Sequence, residues 1–340
     1  MHTTQIGIDL AKTVFEVAVS RRPGQVEARH RLSRVRFRRF LAEAEPAEVL
    51  LEACGSAHYW GRELQGMGHR VSLLHPVDVA RYRDGNKTDR ADAKALLEAA
   101  RNEALDRVPV KSVDQQAIAA LHRIRQGHLR TRTARLNAVR GHLREFGIAI
   151  PVGARNVLPQ AREALANDVV PDYLRAALDD TLDEITALKT KAVALRDELE
   201  RLARQMPDAL LLMSVPGVGV LTATALLAFV GDIRRFRSGR DFAAYLGLTP
   251  REHSSGASRR LGSITKRGNS YLRMMLIHGA RAALRAGKMV ERPDDLRTWA
   301  IAIQDRSGHN VAAVALANKL ARVCWRVWRD QRPFEKRTMA

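Results

Sequence analysis

The sequence predicts an α/β domain at the N-terminus and an all-α remainder. Three observations carry this expectation. Short β-rich runs open the chain, strand-like and helix-like segments alternate to about residue 103, and from about residue 112 apolar residues recur at steps of three or four. The divisions fall at residues 1–108, 109–206 and 207–340.

"IGIDLA" and "VFEVAVS" are compact apolar runs, and "QVEARHRLS" can pair beside them. "RFRRFLAEA" has helical spacing, and "AEVLLEAC" is a buried strand ending at Glu52. "HYWGRELQGMG" is a helix stopped by glycine, "HRVSLLHP" a strand, and "KTDRADAKALLEAARN" a helix with Thr88 as its N-cap. Three strands, helix, strand, helix, strand, helix is an α/β layout with parallel strands towards its end.

In the second part, Ile118, Leu121, Leu129, Leu136, Val139 and Leu143 mark one long helix. Leu174, Leu178, Leu182, Ile185, Leu188, Leu195, Leu199 and Met206 mark another, broken from the first by "GIAIPVGARNVLPQ". The later spacing is heptad-like, as in a coiled-coil hairpin or a seam between protomers; the same row equally serves packing within one chain. After Pro207, apolar helices flank a long polar stretch, "REHSSGASRRLGSITKRGNS".

Charge narrows the function. Lys and Arg number 57 against 37 Asp and Glu, a net charge of +20. Such a chain works on nucleic acid more often than on an anionic membrane. Aromatics are 5%, which argues against a base-stacking platform for single strands. Cys54 and Cys324 match no metal spacing or disulfide framework and fit a reducing cytosol. There is no basic-then-apolar leader pattern and no run near the ~18 apolar residues of a membrane span. The expectation is a soluble intracellular protein with no membrane partner.

Asp9 interrupts an apolar strand, and a buried carboxylate must be solvated, paired or bound to a metal. Glu52 ends a second strand that can lie beside the first. Asp89 and Asp92 share one face at a helix start. Converging carboxylates suit Mg²⁺, one ion or two, and two-metal phosphoryl transfer. The plainer readings are a helix surface favoured by its dipole for Asp89 and Asp92, and a solvent contact for Glu52.

Basic runs point to nucleic-acid backbone. Residues 121–144 hold seven arginines, among them Arg123, Arg130 and Arg135, and no acidic residue; residues 29–39 hold six arginines. Gly217 and Gly219 in "VPGVG" form a tight turn that either receives a phosphate at a helix N-terminus or only joins two helices. In the polar stretch, small residues alternate with Arg259, Arg260, Lys266, Arg267 and Arg273. By composition this is a loop that grips phosphates; a serine in it becomes a nucleophile only if activated.

Together, "GIDLAKTVFEVAV", "LLEACGSAHYWGRELQGMGHRVSLLHPVDVARYR", "NKTDRADAKALLEAA" and the stretch from "SVPGVGVLTATALL" to "SYLRMMLIHGA" resemble the DEDD transposases of the insertion-sequence one-ten family, closest to its eleven-eleven branch. The resemblance covers most of residues 5–103 and 207–285, and the middle helices only in character. It implies an RNase H-like, Holliday-junction-resolvase-like domain with Asp9, Glu52, Asp89 and Asp92 at the D, E, D, D positions. It implies a serine nucleophile at Ser255, with Ser254 one position away. By its position His253 either orients or deprotonates that hydroxyl or, as a lone histidine in a polar loop, is simply solvated. It also implies a guide (bridge) RNA encoded by the element, pairing with target and donor DNA. A further implication is a homo-oligomer, dimer or tetramer, with active sites built from domains of different protomers. Two rivals are a metal-only, junction-resolvase-like nuclease and an inactive nucleic-acid-binding relative.

Overall fold

The structure, a computed structural model, describes residues 4–22, 25–86, 88–167, 169–256, 258–289 and 294–335. The chain divides into two compact units, Met1–Gln116 and Ala117–Ala340.

The first unit is a mixed sheet between helices. Its elements are β1 (Gln5–Asp9), β2 (Val14–Ser20), β3 (Ala28–Ser33), α1 (Arg34–Glu43), β4 (Glu48–Glu52), α2 (Ala57–Gly66), β5 (Arg70–Leu74), α3 (Pro76–Val79), α4 (Asp89–Ala100) and β6 (Arg107–Val108). Strand order is β3-β2-β1-β4-β5-β6. β1–β2, β2–β3 and β5–β6 run antiparallel, while β1–β4 and β4–β5 are parallel. The expected alternation is therefore present, with α3 and the two-residue edge strand β6 added.

The period of two sorts each strand's residues to opposite faces. Ile6, Ile8, Phe15, Val17, Val49, Leu51 and Leu73 pack with Phe37 and Leu41 of α1 and Trp60 and Leu64 of α2. Ala18, Leu50 and Leu74 point the other way, beneath Ala93, Leu96 and Leu97 of α4. Gly7 is what lets α4 come so close. A Cβ there would lie 2.5 Å from the Ala93 carbonyl oxygen.

The second unit is helical: α5 (Val113–Glu145, which starts in the first unit), α6 (Ala154–Leu165), α7 (Asp172–Ala203), α8 (Pro207–Met213), α9 (Val220–Val230), α10 (Gly239–Tyr245), α11 (Ser270–Lys288), α12 (Asp295–Ser307) and α13 (His309–Asp330). A two-stranded sheet, β7 (Pro250–Glu252) with β8 (Leu261–Ile264), interrupts it. Leu136, Val139 and Leu143 of α5 pack with Leu178, Leu182 and Ile185 of α7, while Ile118 and Ala119 meet Leu199. The start of α5 thus meets the end of α7, so the two helices run antiparallel. Of the two uses open to the heptad-like row, packing within one chain is what the structure shows for Leu182, Ile185 and Leu199, each at 0% exposure.

One polar network is sealed into this unit. His122, at 0% exposure, has Nδ1 3.0 Å from the Tyr271 hydroxyl and Nε2 3.0 Å from Thr224 Oγ1. Thr224 donates its own proton to the Val220 carbonyl, so it accepts from Nε2–H, and Tyr271 donates to Nδ1. Burial, then the nearby Arg125 charge, pushes the imidazole down to about 4 and keeps it neutral. No helix among the described residues is long and apolar enough to cross a membrane.

Candidate active site

In the first unit, β1 and β4 are parallel neighbours, so their C-terminal ends, Asp9 and Glu52, lie at the same edge of the sheet. Each is two residues beyond a residue that faces α4, namely Gly7 and Leu50, so both carboxylates share that face. Helix α4 delivers the other two. Thr88 caps it, its hydroxyl accepting from the Ala91 N–H at 3.2 Å, and Asp89 and Asp92 occupy the first turn.

The four charges are felt together. Burial first, then the charges of Asp89, Asp92, Glu52 and Glu16, push the Asp9 carboxyl up to about 6. Glu16 is a fifth carboxylate that sequence reading missed. It lies opposite Asp9 in the β1–β2 register and pairs with Arg31 at 3.3 Å. Hairpin symmetry about the connection at residues 10–13 is the signal that would have found it. Arg83 was also missed; its Nε donates to Asp92 Oδ1, and both side chains are largely buried.

The donor set suits a hard divalent cation: several carboxylates lie near Asp9 and, with its burial, raise its proton affinity, a conflict that a metal relieves. As the side chains stand, no three His, Cys, Asp or Glu among the described residues are grouped tightly enough to hold one ion. Asp92 is instead turned to Arg83.

In the second unit the polar stretch is a β-hairpin, where sequence reading expected a loop. β7 pairs antiparallel with β8, and a bridge between Ser255 and Ser258 extends it towards the tip. At its base, Gly268 has φ +76°, and a Cβ there would lie 1.9 Å from the Tyr245 carbonyl oxygen. Arg273 donates to the carbonyls of Leu246 and Arg267 at 3.0 and 2.9 Å, anchoring the hairpin to α11.

The two candidate serines differ. Ser254 Oγ donates to Glu252 at 2.8 Å and accepts the Arg260 N–H at 3.1 Å. Ser255 is exposed, and its backbone is fixed by the bridge to Ser258 at 3.2 and 3.1 Å. Its hydroxyl makes no hydrogen bond among the described residues. Arg259 pairs with Glu252 at 3.2 Å, while Arg260, Lys266 and Arg267 are exposed. His253 is exposed too, its N–H donating to the Arg260 carbonyl at 2.9 Å.

The remaining predicted residues lie elsewhere in this unit. Arg123, Arg130 and Arg135 are exposed on α5; Arg123 lies over Phe229 at 5.7 Å, and Arg135 bonds Glu184 at 2.7 Å. Gly217, with φ +83°, packs against the Gly279 backbone, and exposed Gly219 is the N-cap of α9.

Comparison with known proteins agrees across both units. The profile of the DEDD domain of IS110 transposases, described as "Transposase", matches residues 6–148, and that of the "Transposase IS116/IS110/IS902 family" matches residues 209–293. The chain is 43% identical over 330 residues to a probable family 20 transposase of Pseudomonas aeruginosa, covering 96% of each. It is 37% identical over 331 residues to the transposase for insertion sequence element IS1111A of Coxiella burnetii, covering 97% of this chain and 90% of that one. Against the transposase for insertion sequence element IS1328 of Yersinia enterocolitica, identity is 34% over 342 residues, covering 98% and 99%.

Proposed function

Since the chain belongs to the IS110 family of insertion-sequence transposases, we propose that it cuts and rejoins DNA through the carboxylates of its first unit and the Ser255 hydroxyl of its second. The observation that carries this is that Asp9 and Glu52 end neighbouring parallel strands beside the first turn of α4, where burial first, then the charges of Asp89, Asp92, Glu52 and Glu16, raise the Asp9 carboxyl to about 6.

Asp9, Glu52, Asp89 and Asp92 would hold Mg²⁺, one ion or two, which when bound supplies positive charge to the phosphoryl group being transferred. Thr88 and Gly7 fix the start of α4 against β1, and so the placement of Asp89 and Asp92. Arg83 keeps Asp92 paired and oriented in the metal-free protein. Ser255 attacks phosphorus: the Oγ–P bond forms as the P–O bond to deoxyribose breaks, and the reverse displacement rejoins the strand. Its free hydroxyl supports this over Ser254, whose oxygen already has two partners. His253 stands two residues away as the group to orient or deprotonate it. Arg259, Arg260, Lys266 and Arg267 hold the phosphodiester, and Arg273 keeps the hairpin in place. Arg123, Arg130, Arg135 and the turn at Gly217 and Gly219 track the backbone, as the net charge supports.

Within this reading the chain has three working parts, residues 1–108, 109–206 and 207–340. It acts in the bacterial cytoplasm on nucleoid DNA, guided by an RNA of its own element and assembled as a dimer or tetramer. RNA guidance and assembly rest on the family resemblance; the middle helices would contribute surfaces other than the internal row of α7.

The test is denaturing electrophoresis of labelled DNA after incubation with Mg²⁺, followed by peptide mapping. Wild type should give a covalent adduct that Ser255→Ala abolishes and Ser254→Ala keeps. An adduct mapped to Ser254 would move the nucleophile by one position. Free cleaved ends without an adduct would overturn the serine step in favour of a metal-only nuclease.

A further inference from the structure

We propose that the groove between α1 and α2 binds an unpaired nucleotide of the DNA substrate, with its base against Tyr59 beside the Arg34 guanidinium and its flanking phosphates on Arg38 and Arg39. This rests on the reading that the protein works on DNA, and assigns that DNA a contact on the sheet face opposite the carboxylates.

The groove encloses about 440 Å³, within the roughly 300–1,000 Å³ of small-ligand clefts. Arg34, Val35, Arg38, Arg39, Tyr59 and Trp60 line it, and no acidic residue does. Its walls are mostly apolar side chain and its rim is cationic, the pairing a nucleotide presents in reverse. Val35 is 81% exposed and Tyr59 41%, an unusual display of apolar and aromatic surface beside three arginines. Trp60 is 2% exposed, and its indole N–H has no hydrogen-bond partner. Trp60 is therefore the closed floor of the groove, and Tyr59, edge-on to it at 5.3 Å, is the ring that a base can reach.

Arg34 shows what the groove accepts. Its planar guanidinium lies 5.9 Å from the Tyr59 ring centroid and 5.2 Å from that of Trp60. A planar π-system stacks on the same faces, and arginine stacks equally on an unstacked base. Arg38 bonds Glu63 at 3.1 Å and Arg39 bonds Glu43 at 2.8 Å. Each guanidinium has five N–H donors, so both keep donors for phosphate. A duplex hides its base faces, so the occupant is an unpaired strand. The low aromatic content argued against such a platform, but one exposed ring beside a guanidinium suffices for one base.

The experiment measures binding of the full chain to a short labelled single strand, the same strand with abasic sites, its duplex, and the RNA of the same sequence. Wild type should prefer the base-bearing DNA strand over the abasic one by roughly tenfold to a hundredfold. Tyr59→Ala should erase that preference and leave duplex affinity unchanged, while Tyr59→Phe keeps it. If Tyr59→Ala melts early, Val35→Glu puts a carboxylate into the groove from an exposed position and should lower single-strand affinity at least tenfold. Equal binding of base-bearing and abasic strands would overturn the proposal, as would a preference that survives both variants. Tighter binding of the RNA that Tyr59→Ala abolishes would assign the groove to RNA and overturn the DNA assignment. Loss of duplex binding in wild type would instead sink the DNA reading on which the proposal rests.

Discussion

Replacing Gly7 with alanine puts a methyl group 2.5 Å from the Ala93 carbonyl oxygen and 3.1 Å from Leu97 Cγ. The oxygen belongs to the backbone of α4 and cannot rotate away, so the helix must withdraw by about an ångström to restore ordinary contact. Overpacking of this kind costs ~1–3 kcal/mol. In a domain near this size each kcal/mol lowers the melting midpoint by ~4–8 °C, so the first unit should melt roughly 4–24 °C lower. The effect on chemistry is larger, because α4 carries Asp89 and Asp92 towards Asp9; a misplacement of ~1 Å can cost on the order of a hundredfold in rate. Circular dichroism melting gives the first quantity, and Mg²⁺-dependent strand cleavage below the variant's midpoint gives the second. Pairing the change with Leu97→Ala removes the 3.1 Å contact and leaves the 2.5 Å one, so the double variant should stay impaired. Wild-type cleavage by Gly7→Ala, or rescue by Leu97→Ala, would refute the claim that this close approach sets the carboxylates.

Asp9→Asn, Glu52→Gln, Asp89→Asn and Asp92→Asn should each lose most cleavage and keep nucleic-acid binding, because the amide keeps the shape and removes the charge that holds the ion; normal recombination by three of the four would mean the site is misassigned. Metal-free Asp9→Asn should also change the pH dependence of stability. A folded-state carboxyl at about 6, against an ordinary 3.8, binds its proton more tightly than the unfolded chain does. The stability this gives is complete below about pH 3.8 and is lost as pH rises through 6, so the melting advantage of Asp9→Asn over wild type should be larger at pH 8 than at pH 4. Leu199→Asp buries a charge at a position with 0% exposure and should lower the melting midpoint of the second unit, whatever the mass in light scattering; an unchanged midpoint would mean that α7 is not packed as described.

The layout of the first unit was legible because period two and period 3.6 alternate cleanly through residues 5–100. β6 was not, since two residues carry no period; Arg107 is tied there by its bonds to Glu48 and to Ser72, the latter at 2.7 Å. Asp9 and Glu52 stood out as carboxylates in apolar runs. Arg83 did not, because its pairing with Asp92 depends on how residues 80–88 turn back. The choice between Ser254 and Ser255 was equally closed to sequence reading. Spacing does not say which hydroxyl reaches Glu252; that it is Ser254 follows from the register of β7 with β8. The heptad-like row was visible in Leu182, Ile185 and Leu199, but spacing alone does not say whether the covering surface belongs to the same chain.

The sheet of the first unit is drawn entirely from residues 5–108, with the meander β1–β2–β3 made first and β4, β5 and β6 added in turn on the other side of β1. On the ribosome this unit can therefore close around its core while the rest of the chain is still being made. At ~5–20 residues per second, Ser255 follows the last strand by roughly 7–30 s. For that interval a nascent chain carries the full set of carboxylates and no serine hairpin, so the acidic edge is assembled before the group that would join DNA to protein exists.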